Sequence, residues 1–284
     1  VPNGTYKFET SVILSHRKKI IGSSGTIFYA KTTAPMFSWQ SGTTIDRPYF
    51  ENLSFSGDPR VKTIAIGNTD FNSYFSWGTF KNCEFYLSLA ECLYGNFIGT
   101  TFYDCTFGVS GSRNINGHRQ VYFKANINNG YMKRPNFNKF YNCRFYFATR
   151  RMYLHSGDFC IFNDCNFERL SALAELHGFE NLIYNNCWFE EIQDADWITV
   201  YNNQEPKGTS VTFNGGYLDT KFGNDYIVRA LSGSTALHVN TISVDGEGAN
   251  LKAFVKRGTE ENDAVLKFSA GNRMLHYKIK NSVK

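Results

Sequence analysis

The sequence has no apolar run long enough to cross a bilayer, and its start lacks the charged, apolar and small-residue regions of a secretory leader. Membrane insertion is therefore not expected. The first residue is Val1, so a longer parent chain is expected and any leader would lie outside these residues. The seven cysteines contain no Cys-x-x-Cys pair, which removes the usual spacing of a structural zinc site. Their odd number argues against a complete disulfide framework, and a reducing assembly compartment is expected. No long basic stripe is present. Lys and Arg exceed Asp and Glu by 30 − 25 = +5, and the one compact run, Arg17-Lys18-Lys19, reads as a solvated turn. A nucleic-acid partner is not expected; a mild positive excess suits an acidic polymer better. Asp194 and Asp196 are close in sequence but lack the ligand spacing of a calcium loop, so neither metal nor cofactor is expected.

What the chain does have is aromatic and turn-forming residues: 26 Phe, 17 Tyr and 24 Gly in 284 residues. One six-residue phrase recurs, reading aromatic, any, Asn or Asp, Cys, any, Phe. Its copies start at Phe80, Phe102, Phe140, Phe162 and Tyr184, and Phe50-Glu-Asn-Leu-Ser-Phe55 is the same phrase with Leu for Cys. The starts 80 and 102, 140 and 162, and 162 and 184 each differ by 22. A fixed period with short strands predicts a solenoid that grows by adding rungs.

Taken in order, residues 1–45 read as opening strands, with Val12-Ile-Leu14, Lys19-Ile-Ile-Gly22 and Thr26-Ile-Phe28 broken by Gly and Ser. The interval from 50 to 80 is 30, a rung plus an eight-residue loop to which Phe71–Trp77 is assigned. The interval from 102 to 140 is 38, which places sixteen extra residues within Gly111–Pro135, a basic segment with Arg113, His118, Arg119, Lys124, Lys133 and Arg134. Regular rungs fill 140–201. The β-helix is expected over 1–220, and 221–284 are expected to add terminal rungs and a β cap or oligomer contact, with Met274–Ile279 in the cap. Arg169–Gly178 has the composition of a helix with a Gly cap, but the repeat overrules it and predicts a strand with Leu154, Leu176 and Ile198 in one inward column.

Cys and the second Phe of the phrase lie two apart, so they share one strand face, and that face is the interior. The Asn or Asp before Cys marks a bend, because these residues tolerate the left-handed conformation. Asn52, Asn82, Asp104, Asn142, Asp164 and Asn186 then form a side-chain ladder at one corner.

A strand, an Asn bend, a Cys-x-Phe strand and a period near 22 resemble the right-handed parallel β-helix of the pectate-lyase-like superfamily. Pro2-Asn-Gly-Thr-Tyr6 followed by Lys19-Ile-Ile-Gly22 resembles, more narrowly, the start of the β-helix in bacteriophage tailspikes and capsule depolymerases. That resemblance implies an all-β homotrimer in the virion tail, assembled in the bacterial cytoplasm. It also implies binding and often cleavage of a bacterial surface polysaccharide, capsule or O-antigen, by hydrolysis or elimination. A non-catalytic carbohydrate-binding spike on the same fold is the alternative. The Asn-Thr-Asp, Asp-Asp and Gly-His-Gly run of polygalacturonases is absent; Leu176-His177-Gly178 is only a fragment of it.

Once the inward positions are assigned, the outward ones follow. After the second Phe come Tyr86, Gly108, Tyr146, Glu168 and Glu190 in one column. Glu168 and Glu190, with backbones about 5 Å apart, would repel and could share a proton. Such a pair can supply acid and base for glycoside cleavage, at about 5 Å for retention and about 6.5–9.5 Å for inversion. A solvated acidic surface neutralised by Arg169 or Arg144 is the plain alternative. On the strand before the corner the outward columns are Arg151, Leu173, Ala195; Tyr153, Glu175, Trp197; and His155, His177, Thr199. Aromatic faces stack on sugars, and His and Arg bind uronate or move protons. Glu175 and His177 are thus candidate acid/base groups, with Arg151, Tyr153, His155, Trp197 and Tyr146 as candidate sugar contacts. The resemblance implies that this strand carries the cleft, and a subunit interface is the competing use of its aromatics.

Overall fold

The computed structural model describes residues 1–58, 60–86, 91–108, 119–126, 134–194, 196–201, 208–219, 226–232, 235–240, 243–245, 253–257 and 264–269. Among them the regular elements are β-strands, arranged in two long sheets of sixteen and twelve strands whose pairings are parallel. The chain coils as a right-handed parallel β-helix. No helix of the described residues is long and apolar enough to cross a membrane.

The phrase sets the register. Phe80 pairs with Phe102, Phe140 with Phe162 and Phe162 with Tyr184, each one 22-residue rung apart. Across the longer intervals Phe50 pairs with Phe80 and Phe102 with Phe140. Two ring columns result. Phe50, Phe80, Phe102, Phe140, Phe162, Tyr184 and Phe213 stack at 4.5 to 5.1 Å. Phe55, Phe85, Phe107, Phe145, Phe167 and Phe189 stack at 4.8 to 5.1 Å. These spacings are those of the strands themselves, so ladder and ring stack reinforce each other. Within a rung the two columns meet edge to face, as Phe162 meets Phe167 at 5.3 Å and 73°.

The phrase cysteines line the same interior, buried and unpaired. Their thiols donate to backbone carbonyls, as Cys165 does to Asn163 at 3.3 Å. Burial pushes the Cys105 and Cys143 thiols up, which keeps them protonated and inert. At the bend, Asn52, Asn82, Asp104, Asn142, Asp164 and Asn186 have φ between 50° and 55°. Their side chains bond rung to rung: Asn82 donates to Asn52 at 2.8 Å, Asn142 to Asp104 at 2.8 Å and Asn186 to Asp164 at 2.7 Å. One rung further, Gly215 occupies the bend at φ 67°. A second ladder, invisible in the phrase, runs Asn163, Asn185, Asn214 and Asn240.

The helix-like segment is a strand, Ala174–His177, paired on Met152–His155. Three expectations are corrected. Phe71–Trp77 is not all loop, because Tyr74–Ser76 is a strand paired with Asn96–Ile98. The basic segment within 111–135 is not one insertion: Arg119–Lys124 is a strand of the twelve-stranded sheet, with extra residues on either side of it. Arg113, His118 and Lys133 lie outside the described residues. The column beneath Leu154 and Leu176 continues to Val200, not Ile198, because this rung is 24 residues long. Beyond 220, Thr235–Asn240, Tyr226–Ser232, Ala253–Arg257 and Ala264–Ser269 extend both sheets in parallel register. Met274–Ile279, expected in a cap, lies outside the described residues.

Candidate functional site

Outward residues of the twelve-stranded sheet form one continuous face. Backbone register places Tyr94, Tyr122, Tyr153, Glu175 and Thr199 in a single column. Tyr94 stacks on Tyr122 at 4.6 Å and Tyr122 on Tyr153 at 4.4 Å. Phe71, from the loop before Tyr74–Ser76, lies against Tyr94 at 5.6 Å. Beside this column run Lys124, His155, His177 and Tyr201. Tyr153 contacts the His177 ring at 4.8 Å, and His177 stacks on Tyr201 at 4.5 Å. Burial raises the hydroxyls of Tyr94, Tyr122 and Tyr153, so they stay protonated donors.

Arg119 organises the charge. Its side chain is 7% exposed, and it donates from Nη2 to Glu175 Oε1 at 3.1 Å, two rungs away. Its guanidinium lies over the Tyr122 and Tyr153 rings at 5.3 and 5.2 Å. Glu91 is the register neighbour of Arg119. Burial raises the Glu91 carboxyl from its ordinary value, against the pull of Arg119, Arg150 and Lys62. Two carboxyl groups thus flank one arginine: Glu91, for which burial favours the protonated form, and Glu175, ion-paired. Burial also lowers His177, with Glu175 opposing and Arg119 and Lys124 assisting, so its imidazole is neutral at pH 7. That face sets a neutral imidazole able to accept a proton beside an ion-paired carboxylate.

Of the sequence candidates, Tyr153, Glu175 and His177 come together here. Trp197 does not. It is fully buried, 5.8 Å from the Phe189 ring, and Leu173 donates to its carbonyl. The two extra residues of its rung turn it inward and put Thr199 beside Glu175. His155 is also buried, its Nδ1 2.8 Å from the Ser156 hydroxyl. Arg151 is occupied in tying rungs together: it donates to the Asp196 carbonyl at 3.1 Å and to Thr199, and pairs with Asp194 at 3.4 Å. Ring faces are not free for sugars either. Tyr122 is enclosed by Tyr94 and Tyr153, so the column presents hydroxyl edges rather than faces.

Around the corner, Tyr146, Glu168 and Glu190 do share a column. Glu168 pairs with Arg169 at 3.4 Å, Arg169 pairs more closely with Glu191 at 2.7 Å, and Glu190 accepts from Trp188 Nε1 at 3.1 Å. Tyr146 covers Gly108, and burial raises its hydroxyl. Each carboxylate therefore already has its own partner.

Tyr94, Tyr122, Glu91 and Tyr201 escape the sequence reading, and Arg119 and Lys124 enter it only as members of the basic segment within 111–135. Tyr94, Tyr122 and Tyr153 are spaced by 28 and 31 residues, so a 22-residue ruler cannot align them. Alternating outward Tyr in Leu93-Tyr94 and Val121-Tyr122-Phe123 is the one local signal.

No protein-family model matches the chain, and no curated protein matches it in sequence. Solved structures do match in fold. The tailspike protein of Acinetobacter phage vB_ApiP_P1 superposes with a TM-score of 0.66 at 18% identity, over 99% of this chain and 57% of that one. ORF18 of Geobacillus virus E2 gives 0.52 at 16% identity, over 95% of this chain and 53% of that one. The fold is thus a tailspike-like parallel β-helix, and the chain spans little more than half the length of either neighbour.

Proposed function

We propose that the chain is the β-helix body of a trimeric phage tailspike that binds a bacterial surface polysaccharide, capsule or O-antigen, and cleaves it beside Arg119. One observation carries the reading: the column Tyr94, Tyr122, Tyr153 runs along the coil axis and ends on Glu175, with His177 alongside and Arg119 beneath. A line of three protonated hydroxyls along two rung spacings, roughly 10 Å, suits the ring oxygens and hydroxyls of a glycan lying parallel to the axis. In hydrolysis, Glu175 directs water; Glu91, three rung spacings or roughly 14 Å along the axis from it, is too distant to act on the same bond. In elimination, neutral His177 takes the ring proton, the carbon–oxygen bond to the departing sugar breaks as the ring double bond forms, and the departing oxygen takes its proton from water. The fold neighbours support the phage reading, which carries with it a virion-tail protein assembled in the host cytoplasm and acting outside the host. Glu168 and Glu190, each already partnered, are the weaker candidates.

The test is incubation with purified host capsule or O-antigen. New reducing ends without an unsaturated-sugar chromophore indicate hydrolysis, and the chromophore indicates elimination. Glu175→Gln is expected to lower turnover about 10²- to 10⁴-fold; full activity in that variant would move the site elsewhere. A second reading, a non-catalytic binding spike, is favoured by the Arg119–Glu175 pair, because a carboxylate held at 3.1 Å by arginine is stabilised as the anion and is a weaker base toward water. Retained polymer binding with no chain-end release would establish it.

A further inference from the structure

A second corner of the coil holds a different set of residues. After each rung leaves the twelve-stranded side, one residue bends in the left-handed region before the next phrase strand: Arg47, Trp77, Gly99, Phe137 and Phe159, with φ from 46° to 62°. Backbone bonds confirm the column, since Arg47 donates to Ser76 O, Trp77 to Ile98 O and Gly99 to Asn136 O. Phe159 and Phe137 stack at 5.3 Å. The ring ladder then breaks at Gly99, and the Trp77 indole leans into the space a side chain there would fill, within 2.5 Å of an added Cβ.

A cavity of about 270 Å³ opens at this break, lined by Trp77, Gly99, Thr101, Phe137 and Lys139. It lies just under the roughly 300–1,000 Å³ of ligand pockets, room for one ring rather than a chain segment. Trp77 is 56% exposed and Phe137 45%, so both offer aromatic surface to solvent. Unlike Tyr122, Trp77 has no stacked ring partner among the described residues. Lys139 lines the cavity and makes no ion pair among the described residues, while Lys81, two rungs away, pairs with Glu51 at 3.3 Å. Aromatic surface, a hydroxyl and a free ammonium around a ring-sized space match a pyranose with an anionic substituent.

We infer that this slot is a second glycan subsite, taking a single uronic-acid ring on Trp77 and Phe137 with its carboxylate on Lys139. The inference shares with the proposed function only the class of polymer; it does not depend on cleavage at Glu175.

Saturation-transfer NMR with methyl glucuronide and methyl galacturonide, against methyl glucoside, tests it. The uronides are expected to give signal and the neutral glucoside little. Trp77→Ala and Lys139→Gln should each weaken uronide binding about tenfold, the scale of one lost aromatic or charge contact. Chain-end release from host polymer, measured on the same samples, reports the cleavage site, so a failure of that site and a failure of this slot are read separately. Lys139→Gln changes only a surface charge, which guards against a folding defect in Trp77→Ala. Uronide signal unchanged in both slot variants overturns the assignment, and equal binding of the neutral glucoside overturns the acidic specificity. Should either variant instead lower the mass in solution, the slot is a subunit contact and the inference falls.

Discussion

Two corners of one coil use the same backbone bend with opposite chemistry. At the first, the left-handed residue is Asn or Asp six times, and three bonds of 2.7 to 2.8 Å join side chains between rungs. At the second, it is Arg47, Trp77, Gly99, Phe137 or Phe159. Asn and Asp tolerate this conformation, whereas a bulky residue costs about 1–2 kcal/mol there. Phe137 and Phe159 recover roughly 0.5–1.5 kcal/mol by stacking. Trp77 has no such return and is more than half exposed. The first corner is therefore occupied by residues that suit the fold, and the second by residues whose merit must lie outside it, at the surface they present. Left-handed residues in strained positions cluster at ligand clamps for this reason.

The largest expected effect that bears on this contrast is at the first corner. Asn142→Val places a β-branched residue at φ 50° and removes the 2.8 Å bond to Asp104. Together these should lower unfolding stability by about 2–4 kcal/mol, read from urea denaturation. A loss under about 1 kcal/mol would mean that the ladder does not hold the bend. At the second corner the sign reverses. Trp77→Asn relieves the backbone, so stability should stay within about 1 kcal/mol and move toward gain, while uronide binding falls. A loss above about 2 kcal/mol would make the indole a packing residue and erase the difference between the corners.

The smallest effect separates both corners from the tyrosine face. Burial lowers His177 below its usual 6.5, so the unfolded chain binds its proton first as pH falls. Stability from this group is complete above about pH 6.5 and declines as pH falls from there toward the lowered folded value. His177→Gln should flatten the acid limb of the denaturation midpoint in that window. An unchanged limb would mean that His177 does not contribute to it.

Where rungs kept the 22-residue period, the sequence was legible to single residues. Cys143, Phe145, Cys165 and Phe167 are buried as the phrase requires, and Glu168 and Glu190 are neighbours in register. The same ruler misplaced Trp197 by two residues, passed over Tyr94 and Tyr122, and left Arg119 in a loop segment, because each follows an interval of a different length. It also treated outward aromatics as free faces, when a rung spacing near 4.8 Å makes neighbouring rings enclose one another.

Sequence alone determined the coil: an aromatic, Asn, Cys and Phe period specifies one inward face and one bend, and stacked copies can satisfy both only as a parallel β-helix. Tertiary structure alone decided the site. Loop-closure entropy rises slowly with length, so insertions of any size fit between rungs and sequence distance stops measuring spatial distance. Arg119 meets Glu175 across 56 residues, and Trp77 stands over Gly99 beside Phe137, only because the rungs carrying them stack.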